Sequence, residues 1–105
     1  MTTPRILRSP EAHRDLLDIW AYITDKSSPS IADGFLARLS GAMEVIAYAP
    51  HIGRERSEFR GRPRSVVVNP YVIFYEPLPE GDGILVWRVI HGRRELSRLV
   101  RRPRR

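Results

Sequence analysis

The 105-residue chain contains no cysteine. That excludes disulfides and cysteine-ligated metals, and it fits a cytoplasmic protein. Lysine is nearly missing too: Lys26 is the only one, so arginine carries the positive charge. No apolar run approaches the roughly 18 residues that a membrane span needs. The opening MTTPRILRSPEAHRDLL is charged within a few residues and lacks the apolar stretch of a signal peptide, so neither a leader nor a membrane partner is expected. His13 and His51 stand apart from each other and from any carboxylate cluster, and no H-x-x-x-H spacing occurs. No metal and no cofactor are expected.

What is present is an ordinary apolar fraction of 42%, enough for one modest core, and a formal net charge of +6. One domain spanning residues 1–105 is expected, with the last four residues disordered. The charge is unevenly placed. Residues 1–50 carry five basic and six acidic side chains, a net of −1; residues 51–105 carry thirteen and six, a net of +7. So basic a half-molecule attracts a polyanion, either nucleic acid or an acidic protein, unless it is simply a solubilising surface.

Arg5 to Arg8 is a short strand candidate. Ser9 then offers an N-cap, Pro10 the first helical position and Glu11 a first-turn acid. Ala12, Leu16, Ile19, Trp20 and Ile23 form the stripe of an amphipathic helix. Ser28-Pro29 repeats the helix start, and Ile31, Ala32, Phe35, Leu36, Leu39, Met43, Ile46 and Ala47 form a second, longer stripe. Gly34 and Gly41 sit seven apart in it; close helix approach would offset their cost of roughly 1 kcal/mol each. The short break between the helices predicts an antiparallel hairpin.

Residues 51–63 read as a polar, arginine-rich loop. Three strands follow: Ser65–Val68, Tyr71–Tyr75 and Ile84–Ile90, separated by the Asn69-Pro70 turn and the loop from Pro77 to Gly83. They are almost continuously apolar, so both faces of the sheet should be covered at least in part. The tail RRELSRLVRRPRR has room for one helical turn around Leu96, Leu99 and Val100. The expected class is α+β, in the order β-α-α-β-β-β, with the helix hairpin docked on one face of a mainly antiparallel sheet and a short basic C-terminal segment. Leu16, Ile19, Ile23, Phe35, Leu39, Ile46, Val67, Ile73 and Val89 are expected in one core. Trp20 and Trp87 are expected to pack in the core rather than stack on bases.

Six segments resemble ParE toxins of the ParE/RelE superfamily. Ala12 to Ile23 is similar to the family's "A…DL..I..YI" opening, and Ala32, Phe35 and Leu39 match its second-helix pattern. Pro50-His51-Ile52-Gly53-Arg54 looks like its "P..GR" loop, Arg64-Ser65-Val66 like its "R.." strand entry, Tyr71–Tyr75 like "Y.IFY", and Arg88 to Arg94 like "RVLHGRRD". The resemblance runs from about Arg5 to about Leu99. It implies the fold just described, and it implies a cognate acidic antitoxin, partly disordered until bound, that joins the toxin in a hetero-oligomer. The target it implies is DNA gyrase on the ParE side, or mRNA in the ribosomal A site on the RelE side.

A ribonuclease cleaving by 2′-hydroxyl attack needs a general base, a general acid and cations on the phosphate. Glu55, Arg64, Arg88 and His91 are the residues that could supply them. The tail after Gly92 holds neither Tyr nor His, and His91 in its "HGRR" context reads better as a strand-end cap. The gyrase reading needs no catalytic residue. It assigns Arg54, Arg56, Arg64, Arg88, Arg93, Arg94 and Arg98 to antitoxin or target binding, since guanidinium forks grip carboxylates and phosphates bidentately. A third reading is a toxin-like fold that only binds its partner.

Overall fold

The computed structural model of the chain describes residues 3–93. Strand β1 (Arg5–Arg8) leads into helices α1 (Pro10–Lys26) and α2 (Pro29–Tyr48). Strands β2 (Arg54–Glu55), β3 (Arg64–Val68), β4 (Tyr71–Pro77) and β5 (Gly83–His91) follow. The sheet order is β1-β5-β4-β3-β2. All pairs are antiparallel except β1 with β5, where Arg5 to Arg8 run parallel to Gly83 to Val86. The fold is therefore α+β, as the sequence predicts. β2 is an addition: its two residues pair with Arg64 and Ser65 inside what reads as a loop, a ladder too short to leave an alternation.

Both helices start at the predicted caps. The Ser9 Oγ accepts from the Ala12 N–H, and Ser28 accepts from Ile31. Ser9 is buried and also donates to the Trp87 carbonyl at 2.7 Å, so one hydroxyl caps α1 and ties it to β5.

Alternation along β4 sends its apolar side chains to two cores. Tyr71, Ile73 and Tyr75 meet the helix residues Leu16, Ile19, Leu39 and Ile46, together with Ile84, Val86 and Val89 of β5. Val72 and Phe74 meet Phe59, Leu78, Leu85, Trp87 and Ile90 on the opposite face. Phe74 faces Arg88 in register while Tyr75 faces Val86, so Trp87 is the extra residue of a bulge.

The expected core holds with two corrections. Ile23 and Phe35 pack partly buried against it, but Val67 is 67% exposed. It belongs to β3, beyond the reach of Phe59, and lies opposite Val72 on the face without helices. Trp87 is fully buried, whereas Trp20 is 37% exposed, its indole N–H held by Asp33 of α2 at 2.8 Å. The expected close approach at Gly34 and Gly41 is also absent: both face open space. The tail's helical turn and the disordered last four residues lie outside the described residues.

Candidate partner-binding site

The arginines of the second half meet different fates. Arg64, at the start of β3, points at the loop after α2. It donates to the Gly53 carbonyl at 2.8 Å and the His51 carbonyl at 3.1 Å, with Glu55 at the edge of ion-pair range. The Tyr75 hydroxyl completes the lock. It accepts from the Gly53 N–H at 2.9 Å and donates to the Pro50 carbonyl at 2.8 Å. A Cβ on Gly53 would collide with that hydroxyl, so the close approach requires glycine there. Burial pushes the Tyr75 phenol up, against the Gly53 N–H bond and the Arg64 charge, which pull it down.

Arg88 forms a second lock. Its guanidinium grips Asp15 of α1 bidentately at 2.7 and 3.0 Å, and the same carboxylate accepts the Val89 N–H at 2.9 Å. β1 accompanies β5 only as far as Val86, then turns at Ser9 into α1. Asp15 thus satisfies a backbone donor on the edge that β1 leaves open.

Arg56 is spread over the face without helices. Its side chain bonds Glu58 at 2.8 Å and the Ser65 hydroxyl at 3.1 Å, and it lies over the rings of Phe59 and Phe74. That hydrogen bond, first among the causes, holds the exposed Glu58 carboxyl below its usual range. Arg62 pairs with Glu55 at 3.5 Å. Arg54, Arg60 and Arg93 are exposed and make no side-chain hydrogen bond or ion pair among the described residues. Arg94 and Arg98 lie outside them.

Glu55 and His91 do not come together. Glu55 registers with Arg64 and through it with Tyr75, whereas His91 registers with Tyr71. Four residues of β4 and three strand spacings separate them, about 13 Å along the sheet and about 14 Å across it. His91 ends β5, its Nδ1 accepting the Arg93 N–H and its ring edge-on to Tyr71. Among the described residues, no group of three or more His, Asp or Glu side chains is placed to hold a metal ion. Nor is any helix among them long and apolar enough to cross a membrane.

Sequence reasoning missed Asp15 and Tyr75. Both stand in segments that resemble the family, in the "DL" of α1 and at the end of "Y.IFY". Their contacts join those segments to the "RV" of β5 and to the "P..GR" loop.

Comparison with known proteins bears on the same stretch. Residues 6–96 match the family model described as "ParE toxin of type II toxin-antitoxin system, parDE". Toxin ParE1 of Mycobacterium tuberculosis is 34% identical over 94 residues, covering 90% of this chain and 95% of that protein. Toxin ParE3 of Caulobacter vibrioides is 24% identical over 93 residues, covering 89% and 91%. The chain belongs to the ParE toxin family of type II toxin–antitoxin systems.

Proposed function

We propose that this toxin acts in the cytoplasm as one domain, inhibits DNA gyrase without cleaving RNA, and is silenced by a cognate acidic antitoxin in a hetero-oligomer. The observation that carries this reading is the separation of Glu55 from His91. A phosphodiester cannot span both, and the remaining strand cations are engaged: Arg64 by carbonyls, Arg88 by Asp15. Arginine keeps its proton at physiological pH, so it steadies an anion but does not shuttle protons. Of the arginines assigned to binding, the exposed Arg54 and Arg93, continued in sequence by Arg94 and Arg98, contact antitoxin or target. Arg56, Arg64 and Arg88 present whatever charge remains beyond their internal partners.

Induced expression, followed by pulse-labelling with methionine and by microscopy, tests the target. Filamentation and a DNA-damage response are expected while translation continues, and His91→Ala should leave toxicity nearly intact. An immediate collapse of methionine incorporation, abolished by His91→Ala, would overturn the choice in favour of an mRNA endoribonuclease.

A further inference from the structure

A hollow of about 290 Å³ opens where the helix hairpin meets the β3–β4 turn, lined by Tyr22, Ile23, Phe35, Pro70, Tyr71 and His91. Its walls are three aromatic rings, an imidazole and two aliphatic side chains. Phe35 and Tyr71 lie 5.5 Å apart between centroids, and His91 stands edge-on to Tyr71 at 5.4 Å. The floor is firm, because Tyr71 is buried in the main core. The Tyr22 wall is exposed.

Two cations stand on these walls. The Lys26 ammonium lies 5.9 Å above the Tyr22 ring, and the Arg38 guanidinium 5.4 Å from the Phe35 ring. Neither has a carboxylate partner among the described residues. Asp18 and Asp25 also lie on α1. At about 100° per residue they fall on the flank beyond Tyr22, away from Ile23 and the hollow. The hollows beside β1 differ in charge. There Arg5 is already paired with Asp82 at 3.4 Å, and Glu44 stands on the wall, so neither hollow favours an acidic guest.

We infer that the hollow between Tyr22, Phe35 and His91 is the anchor pocket for the antitoxin: it takes one aromatic or branched aliphatic side chain from a segment whose flanking carboxylates meet Lys26 and Arg38. This rests on the antitoxin half of the proposed function and is independent of the gyrase half. The volume suits one large side chain. An apolar anchor in a ready-made pocket, ringed by charge of the opposite sign, is how a segment that folds on binding gains affinity and register together. It also places the docking point on the hairpin, in the half of the sequence with almost no net charge.

The test titrates the full chain with the antitoxin encoded beside it. Tyr22→Ala should weaken binding about tenfold or more at any salt concentration, because it removes pocket wall. Lys26→Glu with Arg38→Glu should weaken it about tenfold at low salt and much less at high salt. Val45→Ala, equally exposed on the outer face of α2, should change it less than about twofold, as surface positions outside an interface do. Thermal melts confirm that each variant folds. The chain has only three histidines, so the His91 ring resonances can be followed directly; they should shift on titration while those of His13 stay. Unchanged affinity in the Tyr22 and cation variants, or a still His91, overturns the pocket while leaving the toxin–antitoxin reading intact. Loss of toxicity with antitoxin affinity retained would assign the pocket to the target and overturn it equally. No binding by the unaltered chain removes the antitoxin partner and the pocket together.

Discussion

Arg64 and Arg88 flank β4 from opposite sides, one facing Tyr75 and the other Phe74. Each fastens a connecting segment to the sheet, and they do so with different chemistry. Arg88 meets a carboxylate that also takes a backbone N–H. Arg64 meets two carbonyls, with the Tyr75 hydroxyl beside them and Glu55 only at 4.0 Å. The carboxylate lock cancels the charge it holds. The carbonyl lock leaves most of a positive charge in place, near the exposed Arg54. The same residue type therefore contributes differently to the field a partner sees, and the difference is set by the neighbour.

The comparison breaks most visibly at Asp15. Asp15→Ala would strand a guanidinium only 28% exposed and an edge N–H together. Losing both partners at a part-buried site should cost about 2–3 kcal/mol. Arg88→Ala should cost less, about 1–2 kcal/mol, because Asp15 keeps the Val89 N–H and can hydrate. Urea titrations of both variants read the asymmetry. Equal losses would mean that the ion pair, not the edge N–H, carries the stabilisation.

The other lock should respond less to mutation and more to alkali. Tyr75→Phe keeps the ring in the core but leaves the Gly53 N–H and the Pro50 carbonyl unmet, at about 1–2 kcal/mol. Burial raises the folded-state pKa of this phenol above the ordinary value of 10.0. The unfolded chain then loses its proton first as pH rises. Stability is thus full below pH about 10 and is lost as pH climbs through the folded pKa. The Phe variant should lack this component. A urea midpoint that falls equally in both proteins above pH 10 would place the alkaline transition elsewhere.

The helices and three long strands were legible because their signals are local: Ser-Pro starts, stripes at helical spacing and β-branched runs. The two locks were not, because each joins residues far apart in sequence. Asp15 and Arg88 are 73 positions apart, and nothing near Asp15 distinguishes it from Asp18, which stays exposed. Counting arginines gave the sign and the half of the molecule. It could not tell Arg64, held by carbonyls, from Arg54, which is open. Trp20 misled for a related reason: it falls on the apolar stripe, but its indole N–H finds Asp33 at the hairpin's exposed side. Val67 misled because alternation fixes a face but not whether the far face is covered along its whole width.

The smallest effect is expected at Glu58, where the comparison can be sharpened instead of broken. Arg56, like Arg88, is paired with a carboxylate, at the same short distance of 2.8 Å. Unlike Asp15, that carboxylate is exposed and caps no backbone edge, and Arg56 keeps the Ser65 hydroxyl and two aromatic rings without it. If cancellation of charge were what made the Asp15 lock strong, Glu58→Gln should matter comparably. If burial and the satisfied N–H make it strong, Glu58→Gln should fall within the scatter of a thermal melt at neutral pH. The second outcome is expected. The direction with acid follows from the lowered pKa. The folded state holds Glu58 ionised below the ordinary value of 4.5, so its small contribution is present above that pH and is lost as pH falls through the folded pKa. A melting temperature that drops less steeply below pH 4.5 in Glu58→Gln than in the unaltered chain would register it. Identical acid profiles would mean that the Arg56–Glu58 pair adds nothing to the folded state beyond what Ser65 and the two rings already supply.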